Sequence, residues 1–250
     1  VGLPYIVPED PAERAYFFKE SAPEILLNAV EFSDVRYDSI IVDEATDFSP
    51  TWWIALEALG RQGFSWYCFY DRRQTLYQSE QDWQPPFSAA PIVLDINLRN
   101  PKPIGVLAAT LGHCVVPVQF RVEDGKPPVI LKSDSFAGNA IQLRQLLKEL
   151  LLKEHILPEQ IVILAPYRHT NPQSNWSAGL DLVELSTDLA NPQQGKVRIG
   201  TLQAFKGLEA DIVILVGIDL PAGRHPEWLY VGASRARGAL YILALKNAGI

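Results

Sequence analysis

The sequence predicts an α/β protein built from two parallel-sheet units that follow one another along the chain, the first lacking its beginning. Two observations predict this class. Short, near-continuous apolar runs alternate with helix-patterned segments, as expected for strands buried on both faces. The stretch QDWQPPFSAAP at 81–91, with its three prolines, then divides the alternation into blocks at 1–90 and 91–250.

In the first block, PAERAYFFKE and APEILLNAV within residues 10–31 favour helix, with Pro11 and Pro23 suited to a first turn. SIIVD (39–43) reads as a buried parallel strand ending in acid. PTWWIALEALGRQG (50–63) has a proline start, an apolar helical stripe and a glycine stop, and SWYCFY (65–70) reads as the next strand. Trp52 and Trp53, at the start of that helix, are expected to pack against the sheet.

The second block opens with a strand-like IVLDI (92–96), a helix near 102–111 and a strand at VILK (129–132). A long amphipathic helix over 136–154 and a buried strand at IVILAP (161–166) follow. Beyond a polar loop (167–179), VELS (183–186), VRIG (197–200), IVILVG (212–217) and ALYILAL (239–245) are strand-like, with a helix at 226–237. Trp228 on that helix is expected to pack.

At 250 residues and 48% apolar, the chain can bury one substantial core or two modest ones. A net charge of −7 argues against non-specific coating of nucleic acid, yet leaves room for a local basic groove. Cys68 and Cys114 show no metal-ligand spacing, and Cys68, inside WYCFY, reads as a reduced core thiol. The four histidines, at 113, 155, 169 and 225, are too scattered to suggest zinc or iron. No apolar run approaches the ~20 residues of a membrane span, and no secretory leader opens the chain, so a cytoplasmic location without a membrane partner is expected. The absence of methionine suggests a piece of a longer protein.

Five segments carry chemistry: IIVDEATDF (40–48), FYDRRQTLY (69–77), LDINLRNP (94–101), TLQAFKGLEADIV (201–213) and LYVGASRARGAL (229–240). An apolar strand ending in Asp43-Glu44 can hold Mg²⁺ and a water beside a nucleotide phosphate, because the carboxyl end of a parallel strand opens onto the ligand crevice. The same two acids alone would also suit a solvated turn.

The five segments, in this order, resemble the second to sixth motifs of UvrD/Rep-type superfamily 1 helicases, DEAQDF, GDxxQxIY, LxxNYRS, TxHxxKGLExDxV and YVAxTRAxxxL. The resemblance spans 35–245 and implies a RecA-like P-loop NTPase architecture: a partial first domain (1–90) and a complete second one (91–250). It implies ATP and Mg²⁺ as cofactors and single-stranded DNA as partner, with RNA as the alternative. Asp43 then holds the metal through its water shell, and Glu44 orients or deprotonates the attacking water. By the same resemblance Gln74 would sense the γ-phosphate, and Arg99 and Arg235 resemble the two arginine fingers. Glu209 accepts from the ribose hydroxyl, and Lys206-Gly207 and Thr201 face the nucleic-acid backbone or the cleft. Tyr77 lies near a base, or is a buried strand-end tyrosine. Arg99 would equally suit a surface position before a helix, and Arg237 a structural or phosphate-positioning role.

Thr46, Tyr70, Leu98 and Gln203 stand where the motifs have Gln, Gly, Tyr and His. Residues 102–200, between the fourth and fifth motifs, suffice for one RecA-like domain without a large insertion. No G-x-x-x-x-G-K-[ST] loop occurs; Gly125-Lys126 and Gly195-Lys196 read as turns. The phosphate-cradling Walker A segment is therefore expected upstream of Val1, and the chain alone is expected to be inactive. The rival reading is a degenerate helicase-fold module that binds nucleic acid or a protein without turnover.

Overall fold

The computed structural model describes residues 5–71, 87–113, 119–170, 180–219, 226–248 and 250. The chain divides into two units, Val1–Pro91 and Ile92–Ile250.

In the first unit, α1 (Pro11–Tyr16), a π-helical turn (Phe17–Ser21) and α2 (Ala22–Glu31) follow without a break. Asp10 starts them: its Oδ1 accepts from the backbone N–H groups of Ala12 and Glu13, which have no partner inside the helix. Strand β1 (Tyr37–Val42), helix α3 (Pro50–Glu57) and strand β2 (Gly60–Cys68) come next, with β1 and β2 paired in parallel. Ile40 and Val42 point to one face, where Trp53, Phe64 and Trp66 close a small core. Cys68 is a free thiol at the edge of that core, half-covered, and burial pushes its pKa up. Trp52 packs less deeply, its indole N–H donating to Phe18 O at 2.8 Å.

The helix predicted over 50–63 stops at Glu57. The Tyr37 N–H donates to Leu59 O at 2.8 Å, and this parallel ladder takes Gly60–Gly63 into β2 before the expected glycine stop.

The second unit begins with β3 (Ile96–Asn97), α4 (Lys102–Leu111) and β4 (Gln119–Phe120), the two strands forming a small parallel pair. Then follow β5 (Val129–Ser133), α5 (Phe136–Lys148), a π-helical turn (Glu149–Lys153) and β6 (Ile161–Ala165). The chain finishes with β7 (Glu184–Ser186), β8 (Lys196–Thr201), β9 (Ala210–Ile218), α6 (Pro226–Ala233) and β10 (Ala236–Leu245). Six strands form one all-parallel sheet in the order β5-β10-β9-β6-β8-β7.

The period of two sorts the central strands onto two cores. Val162, Leu164, Val213 and Leu215 pack with α4 and α6, where Trp228 joins them. Ile161, Ile163, Ile212 and Ile214 pack with Leu143 and Leu147 of α5. Apolar runs buried on both faces are what a parallel sheet requires.

Two predicted boundaries are corrected. IVLDI does not form a strand over 92–96; Ile92, Val93 and Leu94 are exposed, and only Ile96 pairs, in β3. The helix predicted over 226–237 ends at Ala233, because Ala236 already pairs with Ala210 in the β9–β10 ladder.

Candidate functional site

In the first unit, Asp43 and Glu44 occupy the carboxyl end of β1. The turn is pinned by two backbone bonds, Phe69 N–H to Val42 O at 2.8 Å and Ala45 N–H to Phe69 O at 3.0 Å. Asp43 is exposed, and its Oδ1 accepts from the Glu44 N–H at 2.9 Å. Glu44 adopts φ 49° and ψ 42°, a left-handed conformation unusual for a side chain of this type. Backbone strain at the end of a parallel strand is a common mark of a functional turn. Thr46, two residues on, is buried, and its hydroxyl has no hydrogen-bond partner among the described residues.

Among the described residues, no three His, Cys, Asp or Glu groups converge on a metal position. A single exposed carboxylate such as Asp43 fits Mg²⁺, which keeps most of its waters and is held by one or two carboxylates plus substrate phosphate. Gln74 and Tyr77 lie outside the described residues.

In the second unit, Thr201, Lys206, Gly207 and Glu209 lie on the β8–β9 connection. Thr201 ends β8, and its Oγ1 accepts from the Ala204 N–H at 3.2 Å, shaping the 3₁₀ turn Gln203–Phe205. Gly207 has φ 79° with open space where a Cβ would sit, so glycine serves the backbone conformation there rather than close packing.

Glu209 receives two arginines. Its Oε2 accepts from Arg99 Nε at 2.9 Å, and its Oε1 from Arg237 Nη1 at 2.9 Å. Arg237 also donates through Nη2 to Asp211 Oδ1 at 2.6 Å, and Gln160 Nε2 donates to Asp211 Oδ2 at 3.2 Å. The Arg99 hydrogen bond, helped by Arg237 and opposed by partial burial, holds the Glu209 carboxyl below its usual range. Asp211 and Glu209 likewise push the Arg237 guanidinium up. Beside this chain lies a cavity of about 470 Å³ lined by Gln160, Arg198, Gly207, Glu209, Asp211 and Arg237.

Arg235 is placed differently. It is 1% exposed, its Nε donating to Val231 O at 3.0 Å and its Nη2 to Ser234 Oγ at 3.0 Å, so it lies folded back on the end of α6. The structure therefore brings Arg99 and Glu209 together, and seats Arg235 in the interior.

Sequence reasoning missed Asn100. It is buried, its Nδ2 donating to Ser234 O at 3.0 Å and Ala236 O at 2.6 Å. The available signal was local: Asn rather than Ser follows Arg99 in LDINLRNP.

The second unit is thus a parallel α/β domain, consistent with a RecA-like fold, that presents a shared arginine–carboxylate cluster on its β8–β9 connection. Residues 196–243 match the UvrD-like helicase C-terminal domain family. Two solved structures are similar to the chain. One is the C-terminal domain of a possible DNA helicase from Lactobacillus plantarum, at 16% identity and a TM-score of 0.43, covering 59% of this chain and 87% of that one. The other is the PRRSV helicase, at 13% identity and a TM-score of 0.44, covering 86% of this chain and 36% of that one. No curated protein matches the sequence.

No helix among the described residues is long and apolar enough to cross a membrane.

Proposed function

We propose that this chain is the C-terminal portion of an ATP-dependent superfamily 1 DNA helicase or translocase. The family match over residues 196–243 carries the reading, because that segment contains Thr201, Lys206, Gly207, Glu209 and Arg235. The strained turn at Glu44 supports it independently.

In this reading Asp43 carries Mg²⁺ through water, and Glu44 orients the attacking water. ATP supplies the phosphoryl group, and its bound metal neutralises phosphate charge. Arg99 and Arg235 place positive charge where it builds up on the transferring phosphoryl. Arg235 must first leave its seat on Val231 O and Ser234 Oγ. Glu209 accepts from the ribose hydroxyl; a carboxylate offers about four lone-pair sites, and Arg99 and Arg237 occupy only part of them. Gln74 couples the phosphate to the strand side, where Tyr77, Thr201 and Lys206 meet single-stranded DNA, or RNA. A phosphate-cradling loop from an upstream segment completes the grip, and the cytoplasm is the expected compartment.

The test is phosphate release from Mg·ATP, with and without single-stranded DNA, by the protein carrying this chain and its phosphate loop. Strand-stimulated turnover is expected, lost in Arg235→Ala while strand binding persists. Unchanged turnover in Arg235→Ala overturns the assignment of that arginine.

The burial of Arg235 favours a second reading, a helicase-fold module that binds without turnover. Strand binding with no phosphate release from the same intact protein would select it.

A further inference from the structure

Asn97 and Asn100 build the turn that carries Arg99. Asn97 Oδ1 accepts from the backbone N–H groups of Arg99 at 3.0 Å and Asn100 at 2.9 Å. Its Nδ2 donates to Asn100 Oδ1 at 3.0 Å. The Asn100 amide is thereby fixed in orientation, because its oxygen receives a donor while its nitrogen faces two carbonyls that can only accept. Those carbonyls belong to Ser234 and Ala236, the residues on either side of Arg235. The Arg235 carbonyl itself accepts from the Ala210 N–H at 3.1 Å, next to Glu209.

We propose that Asn100 is a positioning residue that fastens the Arg99 turn to the backbone on both sides of Arg235, so that the two arginines move as one body. The juxtaposition is specific in three respects. Asn100 is 2% exposed, so its bonds are not shared with bulk solvent. Both of its donors are spent on one short segment 134 and 136 residues away. A serine, which the fourth helicase motif has at this place, owns a single hydroxyl hydrogen and can serve only one of the two carbonyls at a time.

The consequence is mechanical. A change that shifts Arg99, such as release from Glu209, is transmitted through the Asn100 amide to the peptide groups flanking Arg235. Conversely, unseating Arg235 strains the turn that presents Arg99. The pair of charges is therefore delivered or withdrawn together, as phosphoryl transfer between two closing parts requires. The proposal rests on the reading of both arginines as phosphate-facing, but the link itself is tested without nucleotide, so the two can fail separately.

The experiment is backbone hydrogen exchange on the full 250-residue chain, comparing the segments 94–101 and 229–240 with the core strand 161–165. In Asn100→Leu, which keeps the volume and removes both donors, exchange should rise about tenfold or more in both segments, with 161–165 unchanged. Asn100→Ser, with one donor, should give an intermediate rise in both. A rise in 94–101 alone, or in neither segment, overturns the coupling. If Asn100→Leu does not fold, the serine variant decides, and loss of protection in 161–165 as well would make Asn100 a general core residue and overturn the proposal. Failure of the ATPase reading would appear elsewhere, as absent turnover in the intact protein with the exchange result intact.

Discussion

Arg99 and Glu209 lie 110 residues apart in sequence and are joined in the fold by a 2.9 Å hydrogen-bonded ion pair. One residue precedes α4 and the other precedes β9, so the pair ties the entry of the second unit to the centre of its sheet. The candidate finger is neutralised by the very carboxylate expected to read the sugar.

This pairing sets a pH dependence. Arg99 and Arg237 depress the Glu209 pKa, so its contribution to stability exists above the unfolded value of about 4.3 and is lost as pH falls through the lower folded value. The side chain is 40% exposed, so solvent screening keeps the contribution small. Melting temperature measured between about pH 3 and pH 7 should fall less steeply on the acid side in Glu209→Gln than in the parent. Parallel curves would refute the link.

Glu44 should show a conflict between stability and chemistry. Its left-handed backbone costs roughly 1–2 kcal/mol that glycine does not incur. Glu44→Gly is therefore expected to stabilise the first unit by about 1 kcal/mol in urea unfolding, while abolishing turnover in the intact protein. A destabilised Glu44→Gly would mean that the carboxylate's own bonds outweigh the strain.

Thr46 offers a separate test in the same turn. Its buried hydroxyl has no hydrogen-bond partner among the described residues, and an unpaired hydroxyl costs roughly 1–3 kcal/mol relative to an apolar group of the same shape. Thr46→Val should raise stability by about 1 kcal/mol, read as a higher urea midpoint at unchanged slope. A lower midpoint would point to a bound water on that hydroxyl.

Gly232 tests packing beneath Arg235. A Cβ there would lie 2.4 Å from Leu202 Cδ2 and 2.9 Å from Leu215 Cδ2, both in the interior. Gly232→Ala should destabilise the second unit by about 1–3 kcal/mol through overpacking. Adding Leu202→Val should recover part of the loss in a double-mutant cycle; strict additivity would show that the strain lies elsewhere.

The central strands were legible because burial on both faces writes itself as an uninterrupted apolar run, as in IVIL at 161–164 and 212–215. The run IVLDI is also largely apolar, yet only its last residue enters a strand, since a ladder needs a partner that the local sequence does not reveal. The start of β2 was hidden for the same reason: Gly60–Gly63 reads as the end of a helix until Tyr37 is found opposite Gly60. In the candidate site, the charged residues stood out by type and spacing. Asn100 did not, because its role depends on two backbone carbonyls that folding brings in from the other end of the unit.

Ile41 and Tyr67 face each other across the β1–β2 pair at 68% and 54% exposure, on the side away from the Trp53 core. The tyrosine ring and isoleucine methyls form a short-range adhesive patch on a chain whose −7 charge repels its copies at long range. That repulsion decays over about 8 Å at physiological ionic strength and over about 3 Å in molar salt, whereas apolar attraction persists. Raising the salt should therefore make the isolated chain self-associate and lose solubility, and a charged residue in place of Ile41 should restore colloidal stability without touching any residue of the candidate site.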